Sequence, residues 1–379
     1  MDPIPELLTR GVANIIPGRD ELEKVLRSGR KLNVYLGIDP TAPHIHLGHA
    51  VNLRKLQALV ELGHHVTFLI GDFTTIVGDS SDKESERPIL TDSEIENNFQ
   101  TYKSQAEKIL DFSKVQLRRN SEWLDKLSFR QALRSSQNFS LNDFLSRELI
   151  KTKLEKGVNI RLDEIYYPFM QGYDSYFMDT DLQIGAADQT FNMQAGRTLQ
   201  KRLRNKESFI LVNQYLTGTD GRKMSKSWGN AIWLDDSPND VYGKVMSIKD
   251  GLIDEYFLLA TNISKPDISD PMDLKKKLAH QIILELQGAA AANEAQSYFE
   301  STFQQGQVPS DIPEIKVSSK NIVDVLVEAN LASSKSVARR LIDQGGVQVN
   351  NQKISDLGFR ISNLDIVKVG RRFAKITTS

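Results

Sequence analysis

Apolar positions along the chain switch between two periods. Short, mostly apolar runs at Lys31 to Asp39 (KLNVYLGID), His65 to Ile70, Val115 to Leu117, Leu182 to Ile184 and Phe209 to Val212 are bounded by turn residues and read as strands. Between them lie helical stretches: Gly48 to Glu61, the polar stretch Thr91 to Asp111, and roughly Asn120 to Asn159. In the last of these, Ser140 is placed to cap a helix over Leu141 to Leu149. Gly71 to Ser81 reads as a loop. Strands alternating with helices predict an α/β fold, a doubly wound, Rossmann-like parallel sheet over residues 1–230 with a helical insertion at about 120–160.

Beyond Pro238 only the helical period remains. Leu274, Leu278, Ile282 and Ile283 recur at three- and four-residue steps, and Ala289 to Ala292 is a strong helix-forming run. An all-helical domain over 231–304 follows. QQGQVPSDIPEIK then lacks periodicity and carries two prolines, which predicts a linker at about 305–318. The remaining residues, 319–379, read as a small α+β unit. Ile322, Val323, Leu326 and Val327 mark one helix, and Ser334-Lys335-Ser336 opens a second that Gly345-Gly346 ends. Val347 to Asn350 alternates like a strand before an Asn350-Asn351 turn.

Candidate chemistry sits at two joints of this pattern. Three of the six histidines fall in Pro40-Thr41-Ala42-Pro43-His44-Ile45-His46-Leu47-Gly48-His49, between a strand and a helix. Gly221-Arg222-Lys223-Met224-Ser225-Lys226-Ser227 follows the strand at Phe209 to Val212 and the turn Thr217 to Gly221. His46 and His49, three apart, share one helix face. At a helix start they add donors to free backbone N–H groups that already favour an anion. Gly48 leaves room for a flat purine ring to approach the backbone. Lys223 and Lys226 are placed to neutralise the β- and γ-phosphates of ATP, with Ser225 and Ser227 as further donors. A lone His-x-Gly-His is usually a helix entry with surface histidines, and a basic turn is common. Here both motifs stand where a doubly wound nucleotide site needs them. The ordered pair resembles the two signature segments of class I aminoacyl-tRNA synthetases. It implies adenylate transfer, in which a carboxylate attacks the α-phosphate of ATP and pyrophosphate leaves. The attacking group is already ionised, so the site must supply positioning and charge stabilisation rather than a general base.

Composition narrows the picture further. At 379 residues the chain has room for two or three domains, and its zero cysteines exclude disulfides, thiolate metal sites and a cysteine nucleophile. A reducing cytoplasm is the expected setting, with no signal pattern and no membrane span. The net charge is −1, yet from Leu331 on nine Lys/Arg face three Asp/Glu. A basic terminal module of that kind points to RNA phosphates.

Over essentially its full length the chain resembles the bacterial tyrosyl-tRNA synthetases, of the Lys-Met-Ser-Lys-Ser rather than the Lys-Phe-Gly-Lys type. SKSVARRLIDQGGVQVN resembles their S4-type RNA-binding domain, and the helical middle their anticodon-binding domain. The resemblance implies tyrosine–tRNA ligase activity on tyrosine, ATP with Mg2+ carried on the nucleotide, and tRNA(Tyr), by a homodimer built through the helical insertion, with no metal site on the protein. Two segments carry the amino-acid choice: Tyr35-Leu36-Gly37-Ile38-Asp39-Pro40-Thr41, and Tyr166-Tyr167-Pro168-Phe169-Met170-Gln171-Gly172-Tyr173-Asp174. Tyr167, Gln171 and Asp174 fall at i, i+4 and i+7, on one face of a largely apolar helix. Matched motif to motif, Tyr35 and Asp174 bond the substrate phenol, and Asp79, Tyr167 and Gln171 its ammonium group. Gln189 faces the carboxylate, Asp188 meets the ribose, and Thr41, His46 and His49 meet phosphates. Lys223 and Lys226, with Gly48, Met224, Ser225 and Ser227, complete the ATP site, while Lys335, Arg339 and Arg340 contact RNA. His44 departs from the acidic or small polar residue more common there and receives no role. His64, His65 and His280 read as structural or surface residues, and Lys201-Arg202-Leu203-Arg204 as a solvated helix end. Rival readings are a tryptophanyl-tRNA synthetase, a synthetase-like RNA-binding protein and a small-molecule adenylyltransferase.

Overall fold

A computed structural model describes residues 2–78, 90–304, 312–370 and 372–378. The chain divides into two compact units, Met1–Gln296 and Ser297–Ser379. The first is built on a six-stranded sheet of β1 (Val12–Ile16), β2 (Asn33–Ile38), β3 (His65–Ile70), β4 (Val115–Arg119), β5 (Leu182–Ala186) and β6 (Phe209–Asn213), in the order β1-β6-β5-β2-β3-β4. Strands β2 to β6 pair in parallel. The inner strands read as apolar runs because helices cover both faces of such a sheet. β1 departs from the expected all-parallel sheet, since it runs antiparallel to β6 along the edge. It is short, half exposed and irregular at Val12 to Asn14, so no alternation marks it in the sequence.

From β2 the chain moves outward to β3 and β4, then returns to place β5 on the other side of β2. That reversal opens a crevice beyond the C-terminal ends of β2 and β5, the usual ligand position in an open α/β sheet. Helix Leu47–Glu61 leaves β2 at this point and is buried through Ala50, Leu53, Leu56 and Leu59. On the far side, helix Leu162–Phe177 packs closely on helix Thr190–Arg204. A Cβ on Gly172 would lie 3.0 Å from the Ala195 backbone carbon, so a larger residue there would push the helices apart.

Three segments differ from expectation. Residues Asp72–Val77, read as loop, form a helix, with the Thr75 hydroxyl and amide both donating to Gly71 O. Six residues give too little periodicity to mark it. The helix expected from Thr91 to Asp111 spans Asp92–Ala106, opened by a reciprocal Thr91–Glu94 cap. In the insertion, helices Ser121–Leu124, Phe129–Ser136, Leu141–Leu145 and Glu148–Glu155 follow one another. Ser140 caps the third as expected, but that helix stops at Leu145 instead of continuing to Leu149. Phe129 (76% exposed) and Leu162 (72%) head a series of large apolar side chains left in the open along this stretch.

Helices Pro238–Met246, Ile253–Ala260, Pro271–Gln287 and Ala289–Phe299 follow the expected helical period, with Leu274, Leu278, Ile282 and Ile283 buried. Arg54, on the helix after β2, pairs with Glu285 at 2.5 Å and donates to Ala260 O, tying these helices to the sheet. Among the described residues no helix is long and apolar enough to cross a membrane.

The second unit is a five-stranded sheet of β7 (Glu314–Val317), β8 (Val347–Val349), β9 (Gln352–Lys353), β10 (Ile366–Val369) and β11 (Arg372–Thr378), in the order β7-β11-β10-β8-β9. Helices Ile322–Glu328 and Lys335–Asp343, capped by Asn321 and Ser334, share a core with this sheet through Val325, Leu326, Ala338 and Ile342. Residues 305–311 of the expected linker lie outside the described residues. Its end is not linker, because Glu314–Val317 pairs in parallel with β11 and buries Val317.

Candidate active site

The crevice at the switch point holds a cavity of about 300 Å³. At its mouth His46 is the N-cap of helix Leu47–Glu61. Its Nδ1 accepts from the Gly48 amide at 3.2 Å, and His49 Nδ1 accepts from the His46 amide at 3.2 Å. The rings lie 3.9 Å apart. Both imidazoles therefore accept from backbone amides through Nδ1, in addition to the donor each was expected to supply. With Nδ1 occupied as an acceptor, a neutral ring carries its proton on Nε2. Burial, with Lys226 and Lys223 nearby, pushes His46 down to about 3. Burial and the neighbouring His46 drive His49 well below the ordinary histidine value. Both are neutral N–H donors at physiological pH. Gly48 serves this pair, because a Cβ there would meet His46 Nδ1 at 2.9 Å.

The second wall is the loop after β6. Asn230, almost fully buried, accepts from the Ser225 amide at 3.0 Å and donates to Lys223 O and to Asp220 Oδ1. From helix Ile253–Ala260, Glu255 accepts from the Thr217 hydroxyl and Tyr256 donates to Thr217 O. Held this way, the loop presents Met224 as a buried base beside Gly48, with Ser225 and Ser227 side by side at 3.2 Å. Lys226 Nζ reaches across to Thr41 Oγ1 at 3.4 Å and Tyr102 Oη at 2.8 Å. Lys223 Nζ pairs with Asp188 Oδ2 at 3.0 Å, so two residues expected to meet different parts of one ligand meet each other here. Asp188 Oδ1 is buried without a hydrogen bond.

The deep end is carried by helix Leu162–Phe177. Asp174 is buried and accepts from Asn120 Nδ2 at 3.1 Å and Trp123 Nε1 at 2.7 Å. Burial outweighs these bonds and pushes its carboxyl up to about 8. Tyr35 faces the same cavity, and burial, then the Asp174 charge, raises its phenol well above the ordinary tyrosine value. Its hydroxyl donates to Gln183 Oε1 at 3.1 Å and not to Asp174. Two turns back, Tyr167 Oη donates to Asp39 Oδ2 at 2.9 Å, and Thr74 Oγ1 donates to Asp39 Oδ1 at 2.9 Å. Gln171 and Gln189 line the wall between the two ends.

The pocket residues singled out in the sequence thus share one cavity, except Asp79, which lies outside the described residues. Lys335, Arg339 and Arg340 are exposed on helix Lys335–Asp343 of the second unit, with Lys335 paired to Asp324 at 2.8 Å. Asp39, Gln183, Asn120 and Trp123 were not foreseen. Asp39 directly follows the inner strand β2, where ligands sit, and Gln183 is a lone amide in an apolar strand; both are signals the sequence offered. Asn120 and Trp123 are marked only by the fold.

Residues 27–304 match the family model for class I tRNA synthetases (W and Y), and residues 303–373 match that for the tyrosine–tRNA ligase SYY-like C-terminal domain. The chain is 41% identical to a tyrosine–tRNA ligase of Dehalococcoides mccartyi, over 97% of each chain. It is 39% identical to that of Thermotoga maritima, over 97% of this chain and 95% of the relative. Among solved structures, a C-terminally truncated mitochondrial tyrosyl-tRNA synthetase of Aspergillus nidulans superposes with a TM-score of 0.67 at 23% identity, covering 79% of this chain and 94% of that one. An Archaeoglobus fulgidus tyrosyl-tRNA synthetase complexed with L-tyrosine gives 0.60 at 23%, covering 78% and 100%.

The cap has a pH signature. Unfolded histidine takes up its proton near pH 6.5, whereas His46 in the fold resists until about pH 3. Acidification below about pH 6.5 therefore protonates the unfolded state first, and stability falls with falling pH through that window. Asp174 acts oppositely, because a raised carboxyl favours the fold as pH falls from about 8 towards 3.8. A double His46→Gln, His49→Gln variant keeps the Asp174 contribution and removes the other. Between pH 6.5 and 5 the wild-type protein should lose at least about 1 kcal/mol more unfolding free energy than this variant. Urea titrations at the two pH values measure it, and equal losses would show that the imidazoles are not held neutral.

Proposed function

Because the chain belongs to the class I tyrosyl-tRNA synthetases and is a tyrosine–tRNA ligase, we propose that the cavity beyond β2 and β5 joins tyrosine first to AMP and then to tRNA. The observation that carries this reading is one small cavity holding two neutral imidazoles, two lysines and, at its deep end, a buried carboxyl group. In the first step a tyrosine carboxylate oxygen bonds the α-phosphorus and the bond to the β-phosphate oxygen breaks, releasing pyrophosphate. In the second, a ribose hydroxyl of the terminal tRNA adenosine bonds the carbonyl carbon, its proton passes to a phosphate oxygen, and the carbonyl–phosphate oxygen bond breaks to release AMP.

Asp174 and Tyr35 take the substrate phenol, a pairing supported by their burial at the closed end of the cavity. Gln183 holds the Tyr35 hydroxyl, and Asn120 and Trp123 aim the Asp174 carboxyl. The ammonium group goes to Tyr167, Gln171 and Asp79, and Asp39 adds a carboxylate through its contact with Tyr167. Gln189 faces the substrate carboxylate. Asp188 receives the ribose, a role supported by its buried, unbonded Oδ1. Nucleotide binding then exchanges the Lys223–Asp188 pair for contacts to the ligand and frees Lys223 for phosphate. His46 and His49 donate from Nε2, and Thr41, Lys226, Ser225 and Ser227 complete the phosphate cradle over Gly48 and Met224. Mg2+ arrives on the nucleotide; the phosphate-facing groups are cations and neutral donors, which suit a metal already ligated by phosphate oxygens. The sequence of the loop, Lys223 to Ser227, supports membership of the Lys-Met-Ser-Lys-Ser type.

Residues 231–304 serve as the anticodon-binding domain, and the terminal α+β unit, of S4 type, binds tRNA(Tyr) phosphates through Lys335, Arg339 and Arg340. A second copy of the chain covers the insertion. The exposed Phe129, Leu133, Leu141, Leu154, Leu162 and Tyr166 support that homodimer, because such a run of open apolar side chains marks an interface. The cytoplasm is the setting. The tryptophanyl alternative is set aside by relatives named for tyrosine at 39–41% identity.

Pyrophosphate exchange with each of the twenty amino acids should respond to tyrosine alone. Lys226→Ala should slow adenylate formation by about 2.7–4 kcal/mol of transition-state stabilisation while tyrosine binding stays within about twofold. Stopped-flow measurement decides, and an unchanged rate would remove Lys226 from the chemistry. Replacing Arg339 and Arg340 by Ala should leave exchange intact, reduce tRNA charging and flatten its logarithmic salt dependence by about one unit for each phosphate no longer neutralised. Charging at the wild-type rate and salt slope would assign the basic helix another task.

A further inference from the structure

His44 stands two residues before the capping histidine and has no part in the chemistry above. The segment around it forms a short antiparallel ladder with the chain that leaves the lysine loop. Leu47 N donates to Ile232 O at 2.9 Å, Leu234 N donates to Ile45 O at 2.9 Å, and His46 stands opposite Trp233. His46 with Trp233 is the non-hydrogen-bonded pair of this bridge, where side chains approach most closely, and His44 meets Asp235 just beyond it, where the chain has entered the turn Trp233–Asp236. The Trp233 ring lies 5.6 Å from His44 and 5.8 Å from His46, each tilted. His44 Nδ1 meets Asp235 Oδ2 at 2.6 Å and closes the open end of the ladder. The opposite strand is anchored in turn, since Trp233 N donates to Asp236 Oδ2 at 2.8 Å and Lys244 pairs with Asp236 at 2.5 Å.

This ladder spans the divide in the ATP site. One strand runs into the cap that fixes both imidazoles; the other begins at the residues after Asn230, the hub of the loop carrying Lys223 and Lys226. A slip between the strands would move the imidazoles relative to the lysines, and a displacement near 1 Å in such a site costs up to about a hundredfold in rate. We propose that His44 and Asp235 are positioning residues for adenylation, a cross-strand clasp that keeps the two halves of the ATP site in register; this rests on the reading of the cavity given above. Their side chains are 49% and 35% exposed, so the pair adds little to global stability. The clasp therefore acts on rate and leaves melting almost unchanged, a separation that a merely structural contact would not produce.

The experiment uses the full-length enzyme and follows pre-steady-state adenylate formation while ATP and tyrosine are varied in turn. His44→Ala and Asp235→Ala should each lower kcat/KM for ATP by about tenfold. The tyrosine dissociation constant should stay within about twofold and Tm should shift little. The double variant should be no worse than the weaker single one, because both remove the same contact. His44→Gln, which keeps a donor towards Asp235, should recover most of the loss, and Asp235→Asn preserves the shape if an alanine variant fails to fold. Wild-type ATP parameters in the single variants, losses that multiply in the double variant, or equal weakening of tyrosine and ATP would each overturn the clasp. Wild-type enzyme lacking tyrosine-dependent exchange would instead overturn the functional reading beneath it.

Discussion

Two backbone amides at the start of one helix decide the character of this site. Each bonds an imidazole Nδ1, and those two bonds fix where His46 and His49 stand and which nitrogen keeps the proton, while burial keeps both rings uncharged. A helix start offers unpaired N–H groups that some side chain must satisfy. Histidine does so here in place of the commoner Ser, Asp or Thr, and the same bond that ends a structural deficit leaves Nε2–H as a donor, the one the proposed function gives to phosphate. Neutrality matters because the positive charge in this cavity belongs to Lys223 and Lys226. Two imidazolium ions packed 3.9 Å apart beside them would repel each other and the lysines.

Burial governs the deep end of the cavity as well. Asp174 has Asn120 and Trp123 to hold it, yet burial still dominates, so its carboxyl sits far from its usual range. A substrate hydroxyl brought to it meets an oriented, poorly solvated partner, and an amino acid without that hydroxyl leaves the partner unpaired, a loss that gives polar recognition its selectivity. The ion pair between Lys223 and Asp188 is the complementary device. It keeps two charges compensated, and under the proposed function a nucleotide exchanges the pair for contacts to its hydroxyls and phosphates.

Much of this was legible in the residues themselves. The histidine and lysine motifs were readable because adenylate chemistry admits few side-chain types and places them at strand–helix joints. The stripe of Tyr167, Gln171 and Asp174 was readable because polar residues seven apart on an apolar helix need buried partners. What stayed hidden depends on contacts distant in sequence. Asn120 and Trp123 reach Asp174 across more than fifty residues, and nothing near them announces it. β1 is a strand because β6 offers an edge, and Glu314–Val317 is a strand because β11 lies beside it some sixty residues later. The helix Asp72–Val77 exists through threonine bonds to Gly71, a local device too short for periodicity to reveal.

The protonation of the two capping histidines tests this account most directly. Long-range proton–nitrogen correlation spectra of ring-labelled enzyme near pH 7, with His46→Gln and His49→Gln variants to assign the signals, report which nitrogen carries hydrogen. Both rings should be neutral with the proton on Nε2 and Nδ1 acting as acceptor. A proton on Nδ1 of either ring, in a neutral or a charged imidazole, would contradict the cap and the donor role built on it.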